Sequence, residues 1–305
     1  MGRPNPIDMT TQSNLRGIGC MVLATAAFVT TDSLMKVAMA EIPPLQVLIL
    51  RGLFATCWCV PTLFAMGLAS QIPRAKNGWV LLRALSEALA VMCFVIALAK
   101  VPIGDITAIM QTSPLLVVVV AALLLRERIG LLRAALIGVG FIGAVMVAQP
   151  GSAATSVLAA VGFPAAILAA GRDLLARKVP GNIPAMITVL ATLVVVMLCA
   201  TVGSALLEHW VTPTSQHLLL IAISGLFLMF GQLFLFLAFR LAPASVVAPF
   251  LYVATLWAVL SGVLVFRDYP NAMSLAGMAL VVGGGLAMVL LDQRRRRKIV
   301  PLVVA

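Results

Sequence analysis

The sequence predicts an all-α membrane protein: ten transmembrane helices arranged as two inverted five-helix repeats, with the N- and C-termini cytoplasmic. Three observations carry that expectation. The first is composition. The 305 residues are 62% hydrophobic and 10% charged, with a mean hydropathy of +1.13, whereas soluble domains run about 45–50% apolar and roughly 25% charged. So few polar groups cannot cover the surface of a water-soluble enzyme, and disordered, collagen-like and disulfide-scaffold classes fail on the same figures. The second is that the apolar residues gather into runs of membrane-spanning length. The third is that the two halves of the chain repeat each other.

A spanning helix needs roughly 20 mostly apolar residues. Ten such runs read along the chain: about 16–39, 45–67, 78–99, 104–125, 130–148, 155–176, 184–206, 217–239, 243–265 and 271–291. Turn chemistry separates them at Ile42-Pro43-Pro44, Gln149-Pro150-Gly151, Pro180-Gly181-Asn182 and Asp268-Tyr269-Pro270. The first run exceeds a signal-peptide core, carries Asp32 and Lys36, and is followed by nine others, so it reads as an uncleaved helix. The expected organisation is a cytoplasmic segment 1–15, a repeat at 16–148, a second repeat at 155–291 and a basic cytoplasmic tail at 292–305. No connection is long enough to form a soluble domain.

The 21 Lys and Arg against 10 Asp and Glu set the orientation. With the N-terminus inside, cytoplasmic segments receive Arg3, Arg16, Arg74, Lys76, Arg126, Arg128, Arg133, Arg177, Lys178, Arg240 and the run Arg294 to Lys298. The outside receives Lys36, Lys100 and Arg267. This is the positive-inside pattern. The terminal run reads as an anchor on anionic headgroups, so the lipid bilayer and a small molecule are the expected partners and nucleic acid is not. A monomer or homodimer in the inner or plasma membrane is expected. Cys20, Cys57, Cys59, Cys93 and Cys199 all lie in apolar runs and read as reduced core thiols. No metal site and no cofactor are expected, and without a P-loop ATP is not the direct energy source.

The halves align at a nearly constant offset of 141 residues. Asp32 to Lys36 matches Asp173 to Arg177, Ile42-Pro43 matches Ile183-Pro184, and Ala97 and Pro102 match Ala238 and Pro243. Arg126-Glu127 matches Arg267-Asp268, and Gly143 matches Gly284. A unit of five spans is odd, so the second unit lies upside down relative to the first. Inverted repeats mark transporters that alternate access around a midplane site.

These features resemble the drug/metabolite transporter superfamily, specifically its bacterial EamA-type members. The resemblance runs from about Gly17 to Leu291. It rests on Arg51, Ala97 to Pro102, Pro114 followed by Leu125-Arg126-Glu127, Gly138 to Gly143, and Ala248-Pro249-Phe250-Leu251-Tyr252 with Leu256-Trp257-Ala258. It implies a carrier, and the last run is similar to a branch that includes carriers for S-adenosylmethionine, riboflavin and amphipathic metabolites. One departure is Phe266-Arg267-Asp268, where the family usually has Gly-Glu.

Charges at membrane depth cost at least about 2.5–3.5 kcal/mol each, so each one calls for an explanation. Arg83 and Glu87 lie one turn apart in the third helix. They fit either a self-neutralising structural pair or a substrate-binding or gating pair with Glu87 as a proton carrier. Arg51 is an alternative partner for Glu87 or for Asp32. Asp32 with Lys36, and their repeat copies Asp173 with Arg177, fit either pathway mouths or interfacial ion pairs with snorkelling side chains. In the mouth reading, Asp32 is a second candidate for proton coupling and Asp173 with Arg177 form an inner gate. Arg172 reads as reaching the cytoplasmic headgroups.

Pro114 breaks the fourth helix and Pro249 the ninth, each freeing backbone carbonyls. Gln111 and Tyr252 then read as polar pocket groups and Trp257 and Phe94 as stacking walls, with ordinary helix packing the alternative for the aromatics. Gln232 fits an interhelical hydrogen bond. Helices three, four, eight and nine are the expected walls. The string Gly138-Val-Gly140-Phe-Ile-Gly143 lies inside a helix and reads as close packing rather than a dinucleotide site. His209 and His217 have no nearby carboxylate or thiol cluster suitable for a metal or a catalytic triad.

The expected function is secondary transport of a small organic metabolite, amino-acid-derived, nucleoside-like or vitamin-like, by alternating access. The alternatives are a polytopic enzyme acting on lipid and a non-transporting scaffold. The first lacks the clustered surface acids or histidines it would need. The second leaves the intramembrane charges unexplained.

Overall fold

The computed structural model describes residues 6–117, 119, 131–148, 155–176 and 178–299, and among them the regular structure is entirely helical. The elements are α1 (Pro6–Ala38), α2 (Pro44–Ala65), α3 (Gly78–Leu98), α4 (Ile103–Met110, resuming at 113–117), α5 (Leu131–Ala148) and α6 (Thr155–Ala176). They continue with α7 (Ala185–Leu207), α8 (Ser215–Leu241), a composite α9 and α10 (Ala272–Ile299). The pieces of α9 are Ala244–Val247, a 3-10 turn Ala248–Tyr252, a helix Val253–Ser261 and a π turn Gly262–Phe266. A 3-10 segment, Ala69–Lys76, leads from α2 to α3.

Helix starts follow local chemistry. Pro44 opens α2, where its missing N–H is no loss. The Asn77 side-chain oxygen accepts the Trp79 N–H at 3.0 Å. Thr214 caps α8 through a reciprocal pair with His217. Among the described residues, seven helices are long and apolar enough to cross a membrane: 14–38, 44–65, 78–98, 185–207, 215–241, 249–266 and 272–291. The expected span at 130–148 appears as a shorter apolar helix, Ala134–Val147, and that at 155–176 as α6. Of the run 104–125, residues 118 and 120–125 lie outside the described residues, as do Arg126 to Arg128.

Packing reproduces the repeat. α1 packs along α8, and α3 along α6, which is the same pairing with the units exchanged. α3 on α7 is likewise matched by α2 on α8, and α1 on α9 by α4 on α6. The pairs α2 with α7, α4 with α9 and α5 with α10 map onto themselves. Such a pattern requires a two-fold axis between the halves.

The direction of that axis is set by the glycines. A Cβ on Gly143 would lie 2.6 Å from the Gly277 carbonyl, while Gly284, the repeat mate of Gly143, approaches the Leu136 carbonyl. As one helix advances from 136 to 143 its partner retreats from 284 to 277, so α5 and α10 cross antiparallel. A two-fold that relates antiparallel helices runs perpendicular to them, and the repeats are inverted.

Both members of the α4/α9 pair are broken at matched places. α4 pauses at Gln111-Thr112, just before Pro114, and α9 at Ala248–Tyr252, around Pro249. Proline lacks the N–H that the turn needs and crowds the carbonyl four residues back. The two breaks meet: the Gln111 Nε2 donates to the Leu251 carbonyl at 2.9 Å, satisfying an acceptor that the 3-10 turn exposes.

Candidate functional site

A cavity lies where α2 and α3 meet their repeat counterparts α7 and α8, on the two-fold axis. Its walls carry Leu48, Arg51 and Gly52 from α2, Arg83, Glu87 and Val91 from α3, Thr192 and Leu193 from α7, and Leu228 and Gln232 from α8. Five repeat pairs line it together: Leu48 with Val189, Arg51 with Thr192, Gly52 with Leu193, Glu87 with Leu228, and Val91 with Gln232. The first repeat contributes the charges and the second neutral or apolar mates. The walls expected from sequence were three, four, eight and nine; α2 and α7 take the places of α4 and α9, which are occupied in meeting each other at their breaks.

The charges assemble differently from the intrahelical pairs expected. Glu87 bonds across to α6: Arg172 Nη1 donates to its Oε2 at 2.7 Å. Arg172 also donates through Nε to Asp173 at 2.8 Å. It therefore binds carboxylates inside the bundle instead of reaching for headgroups. Arg83, one turn from Glu87, donates to Thr192 Oγ1 at 3.1 Å. Arg51 is only 8% exposed and lies in the fields of Asp32 and Glu87. Lys36 turns away from Asp32, donating to the Val101 carbonyl and lying 4.0 Å from Asp268 and 5.2 Å above the Phe266 ring.

Arg51, Arg83 and Glu87 are thus brought together, Asp32 stands behind Arg51, and Asp173 is held by Arg172. Arg177 lies outside the described residues. Gln111 sits on the α4/α9 seam, Tyr252 of the α9 break has its hydroxyl end against Gly285 of α10, and Trp257 packs against the main apolar core. Ser113, Tyr252, Thr255 and Trp257 each keep a buried polar atom without a partner there. Sequence reasoning missed Thr192 and the bridging role of Arg172. The offset of 141 residues was the available signal: Thr192 is the mate of Arg51, and Arg172 the mate of Thr31, which bonds to Ser224, the mate of Arg83. His217 does gain a carboxylate, with Nε2 3.1 Å from Glu41. Among the described residues no group of three His, Cys, Asp or Glu is placed to hold a metal.

The two ends of the bundle are unlike. At the end carrying Arg74, which donates to the Asn182 carbonyl at 2.8 Å, a vestibule opens onto the cavity and shares Arg83, Val189 and Gln232 with it. It is walled by Ile183, Met186, Leu235, Phe236 and Phe239. Their repeat mates at the opposite end, Ile42, Leu45, Phe94, Val95 and Leu98, belong to the main apolar core. That closed end is tied by polar bonds as well. Glu208 accepts the Leu45 and Gln46 N–H groups at 2.9 and 3.1 Å, and Gln46 exchanges two bonds with Val211.

An all-helical bundle of two inverted repeats, with several helices apolar enough to span and a charged cavity on the axis, defines a multi-pass membrane protein of the transporter class. The chain belongs to the EamA-like transporter family, whose model matches twice, at residues 15–149 and 156–290. It is 34% identical over 247 residues to a riboflavin transporter of Rhizobium johnstonii, covering 80% of each chain. It is 31% identical over 280 residues to the pseudopaline exporter CntI of Pseudomonas aeruginosa, covering 89% of this chain and 95% of that one. An S-adenosylmethionine uptake transporter of Rickettsia bellii is 24% identical over 291 residues, covering 92% and 96%. A solved crystal structure shares the fold at a TM-score of 0.64 and 16% identity, covering 93% of this chain and 98% of that one. Small-molecule transport follows from these relatives.

Proposed function

We propose that this protein is a secondary transporter of the inner or plasma membrane, with ten spanning helices and both termini cytoplasmic, that moves a small organic metabolite by alternating access. It acts without a catalytic step of its own. The observation that supports this most directly is the inequality of the two ends. Residues 141 apart have the same place in their repeats, yet Ile183, Leu235 and Phe239 line an open vestibule while Ile42, Phe94 and Leu98 are packed. Exchanging the conformations of the two repeats would close the first end and open the second around the same cavity. The vestibule end carries Arg74, Lys76, Lys178 and Arg240, so by the positive-inside rule it faces the cytoplasm.

Amino-acid-derived, nucleoside-like and vitamin-like solutes, riboflavin and S-adenosylmethionine among them, are the first substrates to test. Glu87 and Asp32 are the proposed proton carriers, and Asp173 with Arg177 the proposed inner gate. Gln111, Tyr252 and Trp257 act on this reading by letting α4 and α9 bend against each other. Counterflow in proteoliposomes tests the transport reading: unlabelled solute trapped inside should drive transient uptake of the same labelled solute. Vesicles that show no counterflow with any such solute would refute it. Transport by Glu87→Gln with an unchanged pH dependence would remove Glu87 from coupling.

A further inference from the structure

The arginines of the cavity are not equivalent. Arg172 is saturated with charge, holding Glu87 at 2.7 Å and Asp173 at 2.8 Å. Arg51 and Arg83 line the cavity itself, and among the described residues neither is in an ion pair. Arg83 has the Thr192 hydroxyl, a neutral acceptor already bonded to the Thr188 carbonyl at 2.8 Å. Arg51 is more than nine-tenths buried, and its Nε has no hydrogen-bond partner. Each guanidinium carries five N–H donors in a fork that matches a carboxylate in two-point geometry. Holding two such groups at membrane depth, one with a single neutral acceptor and the other with an orphaned Nε, is costly, and that cost is reduced when a ligand supplies acceptors.

The charge that faces the cavity decides what the ligand carries. Arg51, Arg83 and Glu87 are its charged lining residues, and Arg172 already occupies Glu87. Asp32 acts on Arg51 through its field, without an ion pair and without lining the cavity. The two arginines and one glutamate of the lining sum to a single positive charge, which suits a monoanion better than a dianionic phosphate. The rest of the wall is aliphatic, with Val91, Leu193, Val196 and Met229 prominent. Gln232 adds an uncharged donor and acceptor.

Building on the transport reading, we propose that the cavity selects an amphipathic monocarboxylate, whose carboxylate is held between Arg51 and Arg83 and whose apolar body extends along α7 and α8 into the vestibule. Both are binding residues in this proposal, and Thr192 positions Arg83.

The test uses the purified full chain and three matched probes: N-acetyl-L-leucine, its uncharged amide, and the cationic L-leucinamide. The acid should raise the unfolding temperature and the two amides should not. Arg83→Gln, checked for an unchanged melting point without ligand, should weaken the acid's apparent affinity by about tenfold or more, while Arg83→Lys restores part of it. Equal shifts from acid and amide, no shift from the acid, or an acid response untouched by Arg83→Gln would overturn the proposal. A larger shift from the cation would overturn it in favour of Glu87. Proteoliposomes separate this proposal from the transport reading. Selective binding of the acid by protein whose vesicles show counterflow with no solute refutes transport and leaves the anion site standing. Solutes that exchange with no preference for a carboxylate leave transport standing and refute the anion site.

Discussion

At the scale of single residues, the bridge from Arg172 to Glu87 and Asp173 is the arrangement with most at stake. Removing the cation strands the largely buried Glu87 and unpairs the more exposed Asp173, whereas removing one carboxylate leaves the cation a second. Arg172→Met should therefore destabilise the protein by about 1.5–3 kcal/mol, and Glu87→Gln by clearly less. Thermal unfolding in detergent checks the order of the two, and the double variant should recover part of the loss. Arg267 offers a second residue-scale test. It ends the π turn of α9 in a left-handed conformation, with φ at 56°, which costs a non-glycine residue roughly 1–2 kcal/mol. Arg267→Val, a β-branched side chain at the same angle, should lower the melting temperature, while Arg267→Gly should hold or raise it. The family resemblance places a glycine near this turn, and the backbone gives the reason.

Elements meet here through small residues and borrowed caps. α5 and α10 cross with Gly143 and Gly277 backbone to backbone, and a Cβ on either would lie 2.6 Å from the other's carbonyl oxygen. Interfaces of this kind drive helix association in lipid because nothing else lets two backbones approach so closely. Gly277→Leu should cost about 1–3 kcal/mol from overpacking, read as a lower melting temperature. Gly283→Leu, at a position with open space around its Cβ, should not. The start of α2 depends on another element. Glu208, just past α7, accepts two first-turn N–H groups of α2. These are donors that a helix cannot satisfy itself, and they favour a negative partner. Glu208→Ala should cost about 1 kcal/mol and loosen the closed end. It is expected to show up as faster hydrogen exchange at Leu45 and Gln46.

For the whole molecule, the difference between the two ends predicts a difference in access. Val179 lines the vestibule, and its repeat mate Ala38 is fully buried. In a cysteine-free background, a membrane-impermeant maleimide should label Val179→Cys at least about tenfold faster than Ala38→Cys, as expected when the alternative state is populated at or below a tenth. Comparable rates would mean that the two ends interconvert without preference. A transported solute in saturating amount should narrow the gap.

Much of this architecture was legible in one dimension. Lipid has no hydrogen bonds to offer, so spanning segments must be apolar and helical, and composition alone revealed the solvent. Duplication left Ile42-Pro43 and Ile183-Pro184 at one spacing, and five spans per unit implied inversion. Pro114 and Pro249 announced the two breaks. Partner choice among the charges was not legible. Periodicity places Glu87 one turn from Arg83 and Asp32 one turn from Lys36, yet the axis brings α6 against α3 and α9 against α1. Arg172 then takes Glu87, and Lys36 turns to Val101 and Asp268. Nor could the sequence say which end is open, since repeat mates of similar chemistry line a vestibule at one end and fill the core at the other. Hydropathy and symmetry are properties of the chain by itself, so they determined the class and the fold. Charge pairing and the side of opening depend on which surfaces the helices present to one another, and only tertiary packing decides that.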